Sequence, residues 1–238
     1  MKKIIILFIF LLILFTGSGL YGTIPIDTEL IPINLNQPDT LKENQILFNG
    51  RVWRNLYYRV KEHQFLFSKT PLPGSLTING KTFKNISIMY DIYNDEILTA
   101  TNHGSVLQLN KEMVDSFAII FEYKTYKFTK IQEDSVKGFK GFVNVLYKGK
   151  TALYVKYKKE IELLSADDTF DKFYQTHRIY FVKDSVVNLV TGKREFFNLM
   201  DEYKVPIRSF IKKNRLKMSK SNPESFVPVV QFYDSISQ

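Results

Sequence analysis

The sequence predicts an α+β fold: antiparallel β regions, a meander and hairpins, followed by two or three C-terminal helices packed on the sheet. Three observations predict it. Ile86, Ile88, Tyr90 and Ile92 alternate with Ser87, Met89, Asp91 and Tyr93, the period-two repeat of a strand with one buried face. Asn79-Gly80 sits between Leu76-Thr77-Ile78 and Lys81-Thr82-Phe83 and supplies two residues tolerant of positive φ, as a tight hairpin demands. Beyond 195 the apolar spacing changes to that of a helix, with Phe196, Phe197, Leu199, Met200 and Tyr203. Strands first and helices last argue against an alternating α/β sheet, and no Gly-rich loop joins a strand to a helix. The 14 Tyr and 20 Phe favour strands in turn.

Residues 1–22 have the order of a secretory signal peptide. Lys2 and Lys3 give a positive start, and 4–15 is an unbroken run of Ile, Leu and Phe. Thr16, Gly17, Ser18 and Gly19 then offer a peptidase small residues. A settled bilayer span needs about 20 apolar residues. The shorter run therefore predicts a cleaved leader, cut between Gly19 and Gly22, and no transmembrane span after cleavage. No Cys follows it, so no lipid anchor is expected on the new N-terminus. The absence of Cys also excludes a disulfide scaffold, a thiol enzyme and Cys-ligated metal. An exported chain without cross-links has to be held by core burial.

Residues 23–45 read as an extended arm or linker, broken by Pro25, Pro32 and Pro38. Residues 46–236 read as one α+β domain, with lobes 46–130 and 138–236 as the alternative, because 129–140 is polar and aperiodic. Within it, 56–60 and 64–67 are expected strands and 71–74 a turn. Strands at 97–101 and 105–109 complete a meander around the Asn94-Asp95 and Asn102-His103-Gly104 turns, and 117–121 adds another. The runs 141–147 and 151–158 flank Lys148-Gly149-Lys150 as a hairpin, and 178–183 with 186–190 form the next. Pro206 fits the first turn of a second helix, whose stripe is Ile207, Phe210, Ile211, Asn214 and Met218. Asn222-Pro223-Glu224 opens a third helix, in which Pro228 forces a kink or a late start.

Several stretches carry a resemblance: Tyr90-Asp91-Ile92-Tyr93-Asn94-Asp95-Glu96-Ile97, Leu107-Gln108-Leu109-Asn110-Lys111-Glu112, Gly141-Phe142 through Leu146-Tyr147-Lys148-Gly149-Lys150, and Phe210-Ile211-Lys212-Lys213-Asn214 with Tyr233-Asp234-Ser235. In these the chain resembles a family of uncharacterised exported proteins of the Bacteroidota. The resemblance implies an exported domain and supplies no catalytic residues.

Chemistry-bearing patterns are sparse. Asp91, Asn94, Asp95 and Glu96 could offer oxygen ligands to a hard cation, but turn chemistry explains the same residues, with Asp91 accepting backbone hydrogen bonds. Asp91 with Glu96, or Asp167 with Asp171, are the nominal carboxylate pairs for hydrolysis. His63, His103 and His177 lack the spacing of a metal site, and no Gly-x-Ser-x-Gly elbow is present.

Charge is the more usable signal. The chain carries a net charge of +9, and residues 193–220 hold nine Lys or Arg against three Asp or Glu. Arg208, Lys212, Lys213, Arg215 and Lys217 are expected on the outer face of the second helix, as a surface for an anionic partner. The same pattern suits any solvated helix face. The aromatic excess has two readings, a filled core or an aromatic-lined cavity. The sequence therefore predicts an exported, non-catalytic binding or scaffold domain of the cell envelope. It implies no cofactor and no nucleic acid, and the expected partner is an envelope protein or an anionic envelope polymer. The alternatives are a carrier of an apolar or sugar ligand and a carboxylate-pair hydrolase.

Overall fold

The structure, a computed structural model, describes residues 45–101, 104–132, 138–163 and 170–237. The leader, nearly all of the arm, His103, Asp167 and the centre of the polar 129–140 stretch lie outside the described residues.

Eleven strands form one antiparallel sheet among the described residues. They are β1 (Gly50–Val52), β2 (Leu72–Ile78), β3 (Lys81–Asp91), β4 (Glu96–Ala100), β5 (Val106–Leu109), β6 (Val114–Phe121), β7 (Lys124–Ile131), β8 (Gly141–Lys148), β9 (Ala152–Glu162), β10 (Lys172–Lys183) and β11 (Val186–Val190). Their order across the sheet is β1-β5-β4-β3-β2-β6-β7-β8-β9-β10-β11. Three helices follow: α1 (Lys193–Asn198), α2 (Lys204–Lys213) and α3 (Val227–Ile236). The fold is therefore α+β, mostly antiparallel sheet with helices at the C-terminal end, as the residue pattern predicts.

The sheet rolls. Tyr90 on β3 and Phe142 on β8 are four positions apart in the ladder, yet their rings lie 6.1 Å apart. The end of β3 meets β9 directly, where the Lys159 N–H donates to the Ile92 carbonyl at 3.1 Å. Alternation along each strand sends one set of side chains into the enclosed core: Leu76, Ile88, Tyr90, Phe117, Phe128 and Phe142. Phe117 stacks on Phe128 at 4.6 Å, and both meet the edge of Tyr90. These rings pack on one another and fill the interior.

β9 to β11 extend past the closure and carry an apolar cluster on each face. Leu153, Val155, Ile179 and Phe181 share one buried cluster with Phe196, Met200, Ile207, Phe226 and Tyr233 from the C-terminal segment. On the opposite face Tyr154 and Tyr180 cluster with Val143 and with Phe139, which comes from the segment before β8. Asp234 on α3 accepts from the Thr151 hydroxyl at 2.7 Å, the Thr151 N–H at 3.1 Å and the Tyr147 hydroxyl at 3.0 Å. Those bonds fasten α3 to the β8–β9 hairpin.

Four expectations need correction. The runs 56–60 and 64–67 are not strands. They belong to an irregular passage that crosses the back of the sheet, touching it through single bridges at Lys61–Lys172 and Phe65–Asp91. Trp53 and Phe65 pin it against Met89 and Leu98, and Gln64, Phe65 and Leu66 are buried in succession, so the alternation a strand requires is missing. Leu72, Pro73 and Gly74 belong to β2. Pro73 is tolerated because pairing with β6 begins only at Gly74, beside a bulge. β7 was hidden by its lysines: Lys124, Lys127 and Lys130 interrupt an alternation whose inward members are Tyr126 and Phe128. It pairs with β8 from Phe128–Asn144 to Ile131–Gly141, so the ladder runs unbroken there.

The fourth correction concerns α2, which stops at Lys213. Arg215 has φ 53°, the Leu216 N–H reaches the Ile211 carbonyl at 3.0 Å, and the Arg215 N–H reaches the Lys212 carbonyl at 3.3 Å. This pair of bonds is a Schellman ending. Asn214 and Met218 therefore do not continue the helical stripe. Pro228 falls in the first turn of α3, after a 3-10 turn at Pro223–Phe226, which gives the late start.

Candidate functional site: a cationic cleft

Where the roll closes, three turns and two strands surround a cleft of about 810 Å³. One side is the outer face of β9 and β10, directly continuous with the Tyr154–Tyr180 cluster. The register sets Lys156 beside Arg178 and Lys158 beside Thr176. Facing them are Ile92, Tyr93 and Asp95 from the β3–β4 turn and Lys111 and Glu112 from the β5–β6 turn. Lys130 and Ile131 close β7, and Gly138 with Lys140 to Phe142 leads into β8. Three of the stretches that carry the sequence resemblance, at 90–97, 107–112 and 141–142, meet at this cleft.

Its centre is the Asp95 carboxylate. Oδ1 accepts from the Tyr90 hydroxyl at 2.5 Å and from the Lys156 ammonium at 2.7 Å, and Oδ2 accepts from the Phe142 N–H at 3.4 Å. Lys156 also donates to the Phe142 carbonyl at 3.0 Å. Burial pushes the Lys156 pKa down, opposed by Asp95. Burial, and then Asp95, push the Tyr90 hydroxyl well above its ordinary value. The phenol therefore stays a donor. Gly141 makes this approach possible. Its φ is +80°, and a Cβ there would overlap the Asp95 carboxylate. Gly138, at φ +85°, also lies close against the Arg178 guanidinium, which a Cβ would meet at 2.6 Å.

The other acids are likewise held. Glu112 accepts from Lys130 at 2.9 Å, and Lys130 also donates to the Lys111 carbonyl at 2.9 Å. Glu160 accepts from Lys158 at 2.8 Å and from the Tyr174 hydroxyl at 2.6 Å. These lysines hold both carboxyls below their ordinary range. Counting the described residues, six cations line the cleft, Lys111, Lys130, Lys140, Lys156, Lys158 and Arg178, against Asp95, Glu112 and Glu160. Its field is positive, and each acid is already tied to a lysine.

Among the described residues the other sequence candidates lie outside the cleft, except His177, which is part of its lining. Asp91 is 1% exposed and accepts from the Tyr93 and Asn94 N–H groups and the Asn94 amide, each at 2.9 Å. It builds the turn. Asp91 and Glu96 are paired across β3–β4, and burial raises both, but the Asp91 carboxyl is closed off from any substrate. Among the described residues no group of three or more His, Asp or Glu is placed to hold a metal. His177 donates from Nε2 to the Lys220 carbonyl at 2.6 Å. His63 stacks on Phe65 beside the Lys159 ammonium.

Arg208, Lys212 and Lys213 are exposed on α2, and Arg215 and Lys217 are exposed beyond its end. The expected single helical face is thus split between a helix and the turn after it, and none of the five lines the cleft. The cleft cations come from five separate places in the chain, so no charge run marks them. The available signal was the alternation of Lys156 and Lys158 with Val155 and Tyr157.

Among the described residues no helix is long and apolar enough to cross a membrane. No family model matches the chain, and neither a curated protein nor a solved structure does.

Proposed function

We propose that the chain is an exported, non-catalytic binding module of the bacterial cell envelope, periplasmic or secreted, that takes an anionic envelope polymer in the cationic cleft. One observation carries the reading: six cations face three acids, and every one of those acids is fixed to a lysine. A ligand's negative charge therefore meets a net positive, prearranged wall. Glu112 and Glu160 are both lowered, so neither is poised as a proton donor near neutral pH, which supports binding over hydrolysis. The leader-like 1–22 segment and the resemblance to exported Bacteroidota proteins support the location. In this reading the C-terminal helices cover the sheet face opposite the cleft, supported by the cluster that Phe181 and Tyr233 share.

The test is isothermal titration of the chain with a galacturonate hexasaccharide. Saturable binding should weaken at least tenfold between about 50 and 300 mM salt, because exposed charges are screened over a few ångströms at the higher value. It should be lost in Lys111→Glu/Lys140→Glu. Heat that is unchanged by those substitutions, or absent altogether, contradicts the proposal. A second reading keeps the exposed Arg208, Lys212, Lys213, Arg215 and Lys217 as the anionic-partner surface. It is favoured instead if only charge reversal of Lys212, Lys213 and Arg215 removes binding.

A further inference from the structure

The cleft does not end at the β5–β6 turn. A second depression of about 360 Å³ opens on the other side of it, and Lys111 and Glu112 line both. The two share that turn as a common wall, and taken together as a trough they run from Arg178 on β10 to Arg51 on the short edge strand β1.

The two halves differ in chemistry. The first half is positive. In the second, Arg51 and Lys111 are balanced by Glu96 and Glu112, and the distinguishing groups are the side-chain amides of Asn49, Gln108 and Asn110. Gln108 is held in place because its Oε1 accepts from Arg51 Nε at 3.0 Å, which leaves its NH₂ as the donor for a ligand. Asn110 Oδ1 accepts the Glu112 N–H at 3.1 Å, which similarly fixes its amide. Amides pair a donor with an acceptor and suit neutral units rich in hydroxyls. A nucleic acid or a homopolymer of acids would present charge along the whole trough, and the second half does not answer that charge.

We infer that the trough binds an extended acidic heteropolysaccharide, with an acidic sugar in the Lys111–Lys140–Arg178 half and a neutral polar sugar in the Gln108–Asn49 half. This rests on the anion-binding reading of the first half and adds the ligand's extent and composition.

Three probes separate the two ideas by titration: a hexasaccharide alternating glucuronate with N-acetylglucosamine, the galacturonate hexasaccharide, and the alternating disaccharide. The alternating hexasaccharide should bind about tenfold tighter than either of the others, the equivalent of one or two added hydrogen bonds. Gln108→Ala/Asn49→Ala should remove that advantage, so that the alternating and galacturonate hexasaccharides bind alike. Circular dichroism of this variant checks that it folds, and Gln108→Glu, which keeps the shape but adds charge, should weaken the alternating chain in the same way. Equal affinity for all three probes, or indifference to both Gln108 variants, overturns the inference while the cationic cleft stands. Failure of every probe to bind overturns both.

Discussion

The Lys156 ammonium and the Asp95 carboxylate meet at 2.7 Å although 61 residues separate them in the chain. Lys156 lies mid-strand on β9 and Asp95 in the turn after β3, strands that are not neighbours in the ladder. The pair is thus a clasp across the closure of the roll, as well as the centre of the cleft. Asp95→Asn removes the charge that compensates a largely buried ammonium. It should cost about 2 kcal/mol, less than a fully buried pair because Asp95 keeps some exposure. Lys156→Met in the same chain should recover part of the loss, so a urea double-mutant cycle should show clear coupling.

Gly141→Ala attacks the same clasp from the backbone. The residue has φ +80°, and the new Cβ would collide with the Asp95 carboxylate. The expected loss is about 3 kcal/mol, read as a lower urea midpoint. The cost should be smaller when Asp95→Ala is already present, since the obstructing carboxylate is then gone.

His63 gives the fold an acid-sensitive component. Burial, and then the Lys159 ammonium and Lys69, hold its pKa below 6.5, with Glu62 and a backbone bond at Phe65 opposing. The unfolded chain therefore binds more protons just below pH 6.5, and stability falls with pH through the window from 6.5 down to the folded value. Asp91 and Glu96, raised by burial, act in the opposite sense as pH falls. Denaturant midpoints across that window should fall more steeply for the parent than for His63→Gln.

Arg215 occupies the left-handed position of the α2 ending, at φ 53°, where glycine is the unstrained choice. Arg215→Gly should stabilise the fold by about 0.5–1 kcal/mol, a rise in Tm of about 2–4 °C by calorimetry. Because Arg215 lies outside the cleft, titration with the galacturonate hexasaccharide should be unchanged.

The sequence showed the parts of the fold where local chemistry and tertiary packing agree. Asn79 and Gly80 have φ 48° and 77°, the turn their side chains favour, and Ile88 and Tyr90 face the core their alternation implies. It misled where apolar residues act as isolated anchors, as Trp53 and Phe65 do. It also misled where buried aromatics alternate with outward lysines, as in β7. The cleft was hidden for a further reason. Lys111, Lys140, Lys156 and Arg178 come together only because the sheet rolls, and that closure depends on distant partners such as Asp95 and Gly141. The α2 charges formed a visible run in sequence because a helix gathers near neighbours. Asp234, which ties α3 to Thr151, carried no local signal beyond being an acid in an apolar stripe.

The most direct test of the central claim is amide chemical-shift mapping of the isotope-labelled chain titrated with the galacturonate hexasaccharide. Salt-sensitive, saturable shifts should gather at Asp95, Lys111, Lys140, Lys158 and Arg178, with residues 208–217 unmoved. Shifts confined to 208–217, or none at all, would contradict the account.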